Sequence, residues 1–396
     1  MILFGYGVTN KAIAKKFGNC KIYDDSFNGV AYDKNGNEFL QADMFDPDKS
    51  SLEVTSPGIP PSNPLIKKAK NLISEYDLFA ESMPYSIWIS GTNGKTTTTA
   101  MIEYLLKKRG AVAGGNIGTP LAELDEKAPI WVLETSSFTL HYTKKAKPNL
   151  YVLLPISDDH TSWHGSFSEY EKAKLKPLKT LEEGEIAIVP KKYADEQSDG
   201  CLIGYDSAKD LAREFDIDIK KLEFSEPFLT DALLALAVTK ILYDEVDYEK
   251  INSFKVGEHR VEKVYDSKKR VWINDSKATN LDATLAAVKG LKDKEIFLIL
   301  GGDDKGADLE PLFKDLPKSV KIFTIGANEQ KLISLAKEYG FNYQACGDLK
   351  MAVDSISKIY DKQNQVALLS PAAASFDQFK SYADRGNQFK EMVSKL

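Results

Sequence analysis

A tight turn with two glycines, a lysine and a run of threonines, Gly91-Thr-Asn-Gly94-Lys95-Thr96-Thr-Thr-Thr99, follows the apolar stretch Ile87-Trp-Ile89. It precedes an amphipathic segment, Met101–Lys108. Strand, glycine turn and helix in that order cradle a phosphate. The glycines let backbone N–H groups curl around an anion, and the helix N-terminus adds the positive end of its dipole. Lys95 is suited to pair with β- and γ-phosphates and the Thr96 hydroxyl to bind Mg²⁺. The spacing is the shorter G-x-x-G-K-T, because Ile89 stands where the strict eight-residue pattern has glycine. Gly91, Thr92, Asn93, Gly94, Lys95, Thr96 and Thr97 are the candidate nucleotide contacts. The sequence has no N-K-x-D segment to read guanine, so ATP is the expected nucleotide. A chance Gly-Lys-Thr in a loop is the bland alternative, and the flanking strand and helix weigh against it.

Other reactive side chains stand where apolar runs end. Glu134 closes Trp131-Val-Leu-Glu134, a position useful for a metal ligand or equally for a solvated strand end. Asp159-His160 follows Leu150–Leu154, and histidine is scarce, with four in the chain. His160 suits a metal ligand or substrate contact, with a structural loop histidine as the alternative. The segment Tyr170-Glu-Lys172-Ala-Lys174-Leu-Lys176 reads as an ordinary basic helix face. Three further polar tracts follow strands: Asn274-Asp275-Ser276-Lys277-Ala-Thr279-Asn280, Gly301-Gly-Asp303-Asp304-Lys305-Gly306 and Ser370–Asp377. Each alone passes for a turn or an N-cap. Together they imply one composite site, since ligands bind beyond the carboxyl ends of strands in open α/β sheets. Gly5-Tyr-Gly7-Val8-Thr9-Asn10 is a dinucleotide fingerprint with Asn10 at the third glycine. Asp24 and Asp25 end the next strand, where a ribose-binding acid belongs.

These groups need elements to carry them. Apolar runs at Ile2–Phe4, Lys21–Tyr23, Leu52–Thr55, Ile87–Ile89, Ile130–Leu133, Leu150–Leu154, Ile186–Val189, Val271–Ile273, Ile296–Leu300, Val320–Ile325 and Val366–Leu369 read as buried strands. Amphipathic segments such as Lys11–Phe17 and Phe228–Tyr243 lie between them. Strands separated by helices imply βαβ units and mostly parallel sheets, an α/β fold. At 396 residues, breaks near Ser82–Tyr85 and Lys255–Gly257 predict three domains, 1–84, 85–256 and 257–396. With 52 Lys+Arg against 58 Asp+Glu, the net charge of −6 argues against general nucleic-acid binding. Three scattered cysteines (Cys20, Cys201, Cys346) offer neither a disulfide framework nor a zinc spacing. No apolar run approaches the ~18 residues of a membrane span, and Met1-Ile-Leu-Phe-Gly5 lacks a basic leader. A cytoplasmic protein is expected.

Read in order, Gly91–Thr97, Gly114-Gly-Asn116-Ile-Gly118, Glu134, Asp159-His160, His259-Arg260, Asn274–Asn280, Gly301–Asp308 and Leu369–Asn387 resemble the motifs of the Mur ligases. These enzymes attach amino acids to the muramic acid peptide of bacterial cell-wall precursors. The resemblance covers the whole chain, and the Gly-Gly-Asp-x-Lys-Gly-Ala-Asp and Ser-Pro-Ala-x-Ala-Ser-x-Asp-Gln-Phe tracts point to the D-glutamate-adding branch. It implies Rossmann-like N- and C-terminal domains around a P-loop ATPase-like centre. The implied reaction joins D-glutamate to UDP-N-acetylmuramoyl-L-alanine through an acyl phosphate made from ATP.

By residue, the resemblance implies that Gly7, Val8, Thr9, Asp24, Asp25 and Ser56 hold the UDP end, with Asn116 and His160 on the muramoyl-alanine part. Lys95, His160 and Lys174 are the implied catalytic residues. Thr96, Glu134, His160 and Lys174 are the implied Mg²⁺ ligands, at two sites in the family's manner with Lys174 carbamylated. Arg260 and Asp275 are implied to hold adenine nucleotide, and Lys277, Thr279, Lys305, Ser375, Phe376 and Tyr382 to hold D-glutamate. Four positions depart from the family pattern: Pro155 and Asp231 each replace an asparagine, Ser26 lies where an arginine is common, and Tyr382 replaces a phenylalanine. Small-molecule substrates and a monomeric state are expected. A sibling or folylpolyglutamate synthase-like ligase, a non-ligating UDP-sugar sensor and an NAD-dependent enzyme are the alternatives.

Overall fold

The computed structural model describes residues 1–116, 118–291, 293–361 and 363–396. Ile117, inside the Gly114–Gly118 tract, lies outside the described residues. Two compact units divide the chain: Met1–Phe224 with Phe228–Phe254, and Ser225–Pro227 with Lys255–Leu396.

The first unit holds two sheets. One runs in the order Ala31–Tyr32, Glu38–Gln41, Lys21–Asp24, Ile2–Phe4, Glu53–Thr55, Leu72–Ile73, parallel except for its first pair. The other is parallel throughout and runs Cys201–Tyr205, Ile186–Pro190, Leu150–Leu153, Tyr85–Ser90, Ile130–Glu134, Ala111–Gly115. Its three middle strands are almost wholly buried. That follows from helices on both faces, and it is why they read as unbroken apolar runs. Register puts Ile89 opposite Glu134 and Ser90 opposite Leu153. The phosphate turn, Glu134 and the 154–160 segment therefore leave the same sheet edge side by side.

Helix Phe228–Tyr243 packs on the helix that starts at Lys95, and nine consecutive residues from Asp231 to Thr239 are buried. Each fully buried Leu or Val there contributes about 1.5–3 kcal/mol. The two sheets of this unit share a core in which Tyr76 meets Trp88 edge-on at 4.8 Å.

The second unit has one sheet in the order Glu262–Tyr265, Val271–Asn274, Gln365–Leu369, Glu295–Leu300, Lys321–Ile325, Asn342–Gly347. Only the first pair is antiparallel. The three strands that precede the polar tracts of 274–280, 370–377 and 301–306 are neighbours, so those tracts leave one sheet edge together. Among the described residues, no helix is long and apolar enough to cross a membrane.

Candidate active site

Strand Tyr85–Ser90 ends in a turn that only glycine fits at two places. Gly91 has φ +139°, and a Cβ there would lie 2.5 Å from Leu154 Cβ; Gly94 has φ +85°, and its Cβ would lie 2.6 Å from Asp231 Oδ1. Asp231 is buried and accepts a hydrogen bond from Thr98 Oγ1 at 2.9 Å. It braces the first turn of helix Lys95–Leu106 from below. Lys95 Nζ curls back to donate to the carbonyls of Gly91 and Thr92, both at 2.9 Å. Thr92 Oγ1 in turn bonds Ser157 N, Ser157 O and Tyr170 OH, tying the turn to the 154–160 segment.

Helix Phe167–Leu175, capped by Ser166 accepting from Glu169 N, carries Lys174 into this cluster. Lys174 is 1% exposed, and its Nζ donates to Gly91 O at 2.8 Å and Ser90 Oγ at 3.3 Å. Its ammonium lies 4.8 Å from the Tyr170 ring centroid, one helical turn earlier. Burial strips water from that ammonium and the charge of Lys95 repels it. Asp159 and Glu134 oppose this only partly, and Lys174 gives up its proton well below the ordinary lysine range.

Glu134 is buried at the end of its strand. Oε1 accepts from Asn116 Nδ2 at 2.8 Å, whereas Oε2 is buried with no hydrogen-bond partner among the described residues. A carboxylate oxygen left bare in a low-dielectric site calls for a cation. His160 sits in the left-handed region at φ +54° and opens the short helix Thr161–His164. Its ring is partly exposed, 4.8 Å from Phe138 and 6.1 Å from Tyr170, with Nε2 3.6 Å from Asp159 Oδ2. His164 points inward instead, bonded to Ser137 Oγ at 3.0 Å; burial and nearby positive groups lower its pKa to about 4.

In the first sheet, Gly7 closes against Ser56, whose Oγ would lie 3.1 Å from a Cβ at Gly7. Val8 and Thr9 then open helix Val8–Phe17, with Val8 well exposed. Asn10 donates to Phe4 O and Gly5 O, so it locks the loop from inside. Asp24 is already engaged: Oδ2 accepts from Tyr6 N and Oδ1 from Ser26 N and Oγ. Asp25 is exposed.

In the second unit, Asp275 Oδ1 accepts from Val261 N and Oδ2 from Ser370 Oγ, which ties Arg260's neighbour to two of the three tracts. Burial raises the Asp275 carboxyl to about 7 against those hydrogen bonds and the charge of Arg260. Lys277 lies over the Tyr382 ring at 4.0 Å. Thr279, Lys305 and Phe376 are exposed, whereas Ser375 is 2% exposed. Beneath them lies Arg385, with no exposed surface. It donates to Ser276 Oγ and O, Ala373 O and Ala374 O. Asp303 and Ala374 exchange both backbone hydrogen bonds, joining the third tract to the second.

The family profile described as Mur ligase middle domain matches residues 89–201, and that described as Mur ligase, glutamate ligase domain matches residues 259–373. A UDP-N-acetylmuramoylalanine–D-glutamate ligase of Campylobacter jejuni is 52% identical over 100% of this chain and 99% of its own. The enzyme of the same name from Helicobacter pylori is 43% identical over 99% of each chain. The chain belongs to the Mur ligase family. Its fold is that of solved Mur ligases. MurF from Thermotoga maritima in complex with ADP gives a TM-score of 0.58 over 87% of this chain and 88% of that one, at 16% identity. MurC from the same organism gives 0.57 over 98% of each, also at 16% identity.

In this Mur ligase the phosphate turn, Asn116, Glu134, His160 and Lys174 gather at one sheet edge, although they are spread over more than 80 positions of sequence. Sequence reasoning passed over Tyr170, which touches Thr92, His160 and Lys174. Its i, i+4 spacing from Lys174 was the available signal. It also passed over Arg385, which looks like any other helical arginine until its burial is known.

Proposed function

We propose that this Mur ligase joins D-glutamate to UDP-N-acetylmuramoyl-L-alanine, converting ATP to ADP and phosphate, in the synthesis of peptidoglycan precursors. The observation that carries this reading is the 52% identity, spread over the entire chain, to an enzyme of that name. Residues 1–84 serve the uridine nucleotide, 85–256 the phosphoryl transfer and 257–396 the amino acid. Gly7, Val8, Thr9 and Ser56 face the UDP end. Asp24 acts through the loop it ties down, and Asn116 and His160 meet the muramoyl-alanine.

The substrate carboxylate attacks the γ-phosphorus of ATP in line, ADP leaves, and an acyl phosphate remains. Lys95 and the backbone N–H groups of Gly91–Thr97 offset charge on the transferring group. The D-glutamate amine then attacks the acyl carbon, and the tetrahedral intermediate expels phosphate. The bare Glu134 Oε2 fits a Mg²⁺ ion, with Thr96, His160 and Lys174 as the remaining ligands. When bound, that ion neutralises charge on the phosphoryl oxygens. A neutral, buried Lys174 amine can add CO₂ and release a proton, leaving an anionic carbamate that suits a second cation. Lys277 and Lys305 complement the two carboxylates of D-glutamate, with Thr279, Ser375, Phe376 and Tyr382 around it, while Arg260 and Asp275 serve the nucleotide. The enzyme works as a cytoplasmic monomer.

Phosphate release from ATP, measured with UDP-N-acetylmuramoyl-L-alanine and D-Glu, L-Glu, L-Lys or meso-diaminopimelate in turn, tests this. Release that needs both the UDP-sugar and D-Glu is expected. Release with another amino acid moves the enzyme to a sibling reaction, and none at all in Mg²⁺ and bicarbonate favours a sensor.

A further inference from the structure

The segment after strand Glu53–Thr55, Ser56-Pro-Gly58-Ile59, is fastened by two side chains from helices Ser137–Tyr142 and Thr161–His164, which follow strands of the other sheet of the same unit. Trp163 Nε1 donates to Gly58 O at 3.2 Å, and Tyr142 OH donates to Ile59 O at 2.7 Å. Trp163 stands on the four-residue helix Thr161–His164, three positions after His160. Its ring lies 4.5 Å from that of Phe138, tilted by 31°, and Phe138 meets the His160 ring at 4.8 Å. Gly58, Trp163, Phe138 and His160 thus form a continuous line of contacts from the Ser56–Ile59 segment to the sheet edge that holds Lys174 and Glu134.

Adhesion between the two sheets does not need this line. Buried contacts supply it already: Tyr76 on Trp88, and Ser74 Oγ with Thr143 Oγ1 at 2.9 Å. Trp163 differs from them in being half-buried, while Trp88, Trp131 and Trp272, the other three tryptophans, have no exposed surface. An indole has a single N–H donor, and here that donor is committed to a backbone carbonyl of the segment assigned to the uridine nucleotide. A shift of that segment on binding therefore moves the indole, and the indole leans on the ring that supports His160.

We propose that Trp163 is a positioning residue that couples occupancy of the Ser56–Ile59 segment by the uridine nucleotide to the placement of His160, through Phe138. This rests on the assignment of that segment to the UDP end of the substrate. Of the four tryptophans Trp163 alone has exposed surface, and it touches the segment in question, so the same residue supplies the probe.

The test is titration of the whole enzyme with UDP-N-acetylmuramoyl-L-alanine, read by tryptophan fluorescence, beside steady-state kinetics of Trp163→Phe. That substitution keeps a six-membered ring for Phe138 and removes the N–H donor together with the pyrrole half of the indole. The wild type is expected to change its emission on binding, and Trp163→Phe is not. In the variant kcat falls and KM for the UDP-sugar rises, each about fivefold, the worth of one modest hydrogen bond, with KM for ATP unchanged. A raised KM with unaltered kcat would mean simple loop adhesion and overturns the coupling, as does a wild-type enzyme whose emission ignores the UDP-sugar it turns over. Should Trp163→Phe not fold, Tyr142→Phe removes the neighbouring bond to Ile59 O. There the same paired change supports the proposal, and a raised KM with unaltered kcat overturns it. Ligation that proceeds equally well without the uridine nucleotide overturns the substrate assignment, and the coupling falls with it.

Discussion

Lys174 and Lys95 donate to the same atom, the carbonyl oxygen of Gly91, at 2.8 and 2.9 Å. One lysine comes from the phosphate turn and the other from a helix some 80 positions later. Their convergence sets two amines close together in a site where water is largely excluded. Burial, and then the charge of Lys95, push Lys174 toward giving up its proton well below the ordinary lysine range.

A neutral amine at Lys174 is the form that reacts with CO₂. Enzyme equilibrated with ¹³C-labelled bicarbonate should show a carbamate carbon by NMR, and Lys174→Gln should show none. Wild-type enzyme lacking that signal under turnover conditions would leave Lys174 as a plain structural amine.

Glu134 offers one satisfied and one bare carboxylate oxygen. Glu134→Gln keeps the shape and the Asn116 contact but removes the charge. It should raise the Mg²⁺ concentration needed for half-maximal phosphate release by about tenfold or more, the loss of about 1.4 kcal/mol of cation binding. An unchanged Mg²⁺ titration would remove Glu134 from the ligand set.

Glu75, at the start of helix Glu75–Leu78, is buried, and burial lifts its carboxyl from 4.5 to about 8 against the backbone N–H groups of Ala122 and Leu121. The folded state therefore binds this proton more tightly than the unfolded chain. Stability should fall as pH rises from about 4.5 to about 8 and level off above, by up to about 1.4 kcal/mol per pH unit. In Glu75→Gln this component of the slope disappears. Denaturant midpoints of the two proteins across that range check it, and parallel curves would contradict it.

Arg385 spreads one guanidinium over Ser276, Ala373 and Ala374, and a lysine cannot reproduce that fork. Burial lowers its pKa to about 10, with Asp377 opposing, so it stays charged at neutral pH. Arg385→Lys should lower stability by about 3 kcal/mol through the unsatisfied carbonyls. KM for D-glutamate should rise more than tenfold, while KM for the UDP-sugar stays within about twofold. Equal effects on both constants would mean general damage instead of disorder in the three joined tracts.

Much of this molecule is legible in its sequence. The interior strands are, because a strand buried on both faces must be mostly apolar, as the runs Ile130–Leu133 and Ile296–Leu300 are. The strands that were not foreseen include both edges of every sheet: Ala31–Tyr32 and Leu72–Ile73, Cys201–Tyr205 and Ala111–Gly115, Glu262–Tyr265 and Asn342–Gly347. An edge strand has one paired side and often a wet face. Asn342–Gly347, exposed along nearly its whole length, carries no periodic signal at all.

The phosphate turn is written in the chain itself, because Gly91, Gly94 and Lys95 act through local backbone geometry that a few adjacent residues specify. So is the placing of polar groups after apolar strands, and with it where along the chain chemistry can sit. Which of those groups meet depends on the fold. Strand order placed 85–90 between 130–134 and 150–153, and so brought Glu134 and His160 to one edge. Burial turned Lys174 from one lysine among several into a perturbed amine, and Arg385 from a surface charge into a clasp. Those properties arise from the surrounding dielectric and from partners far off in the chain, and neither is encoded in the few residues on either side.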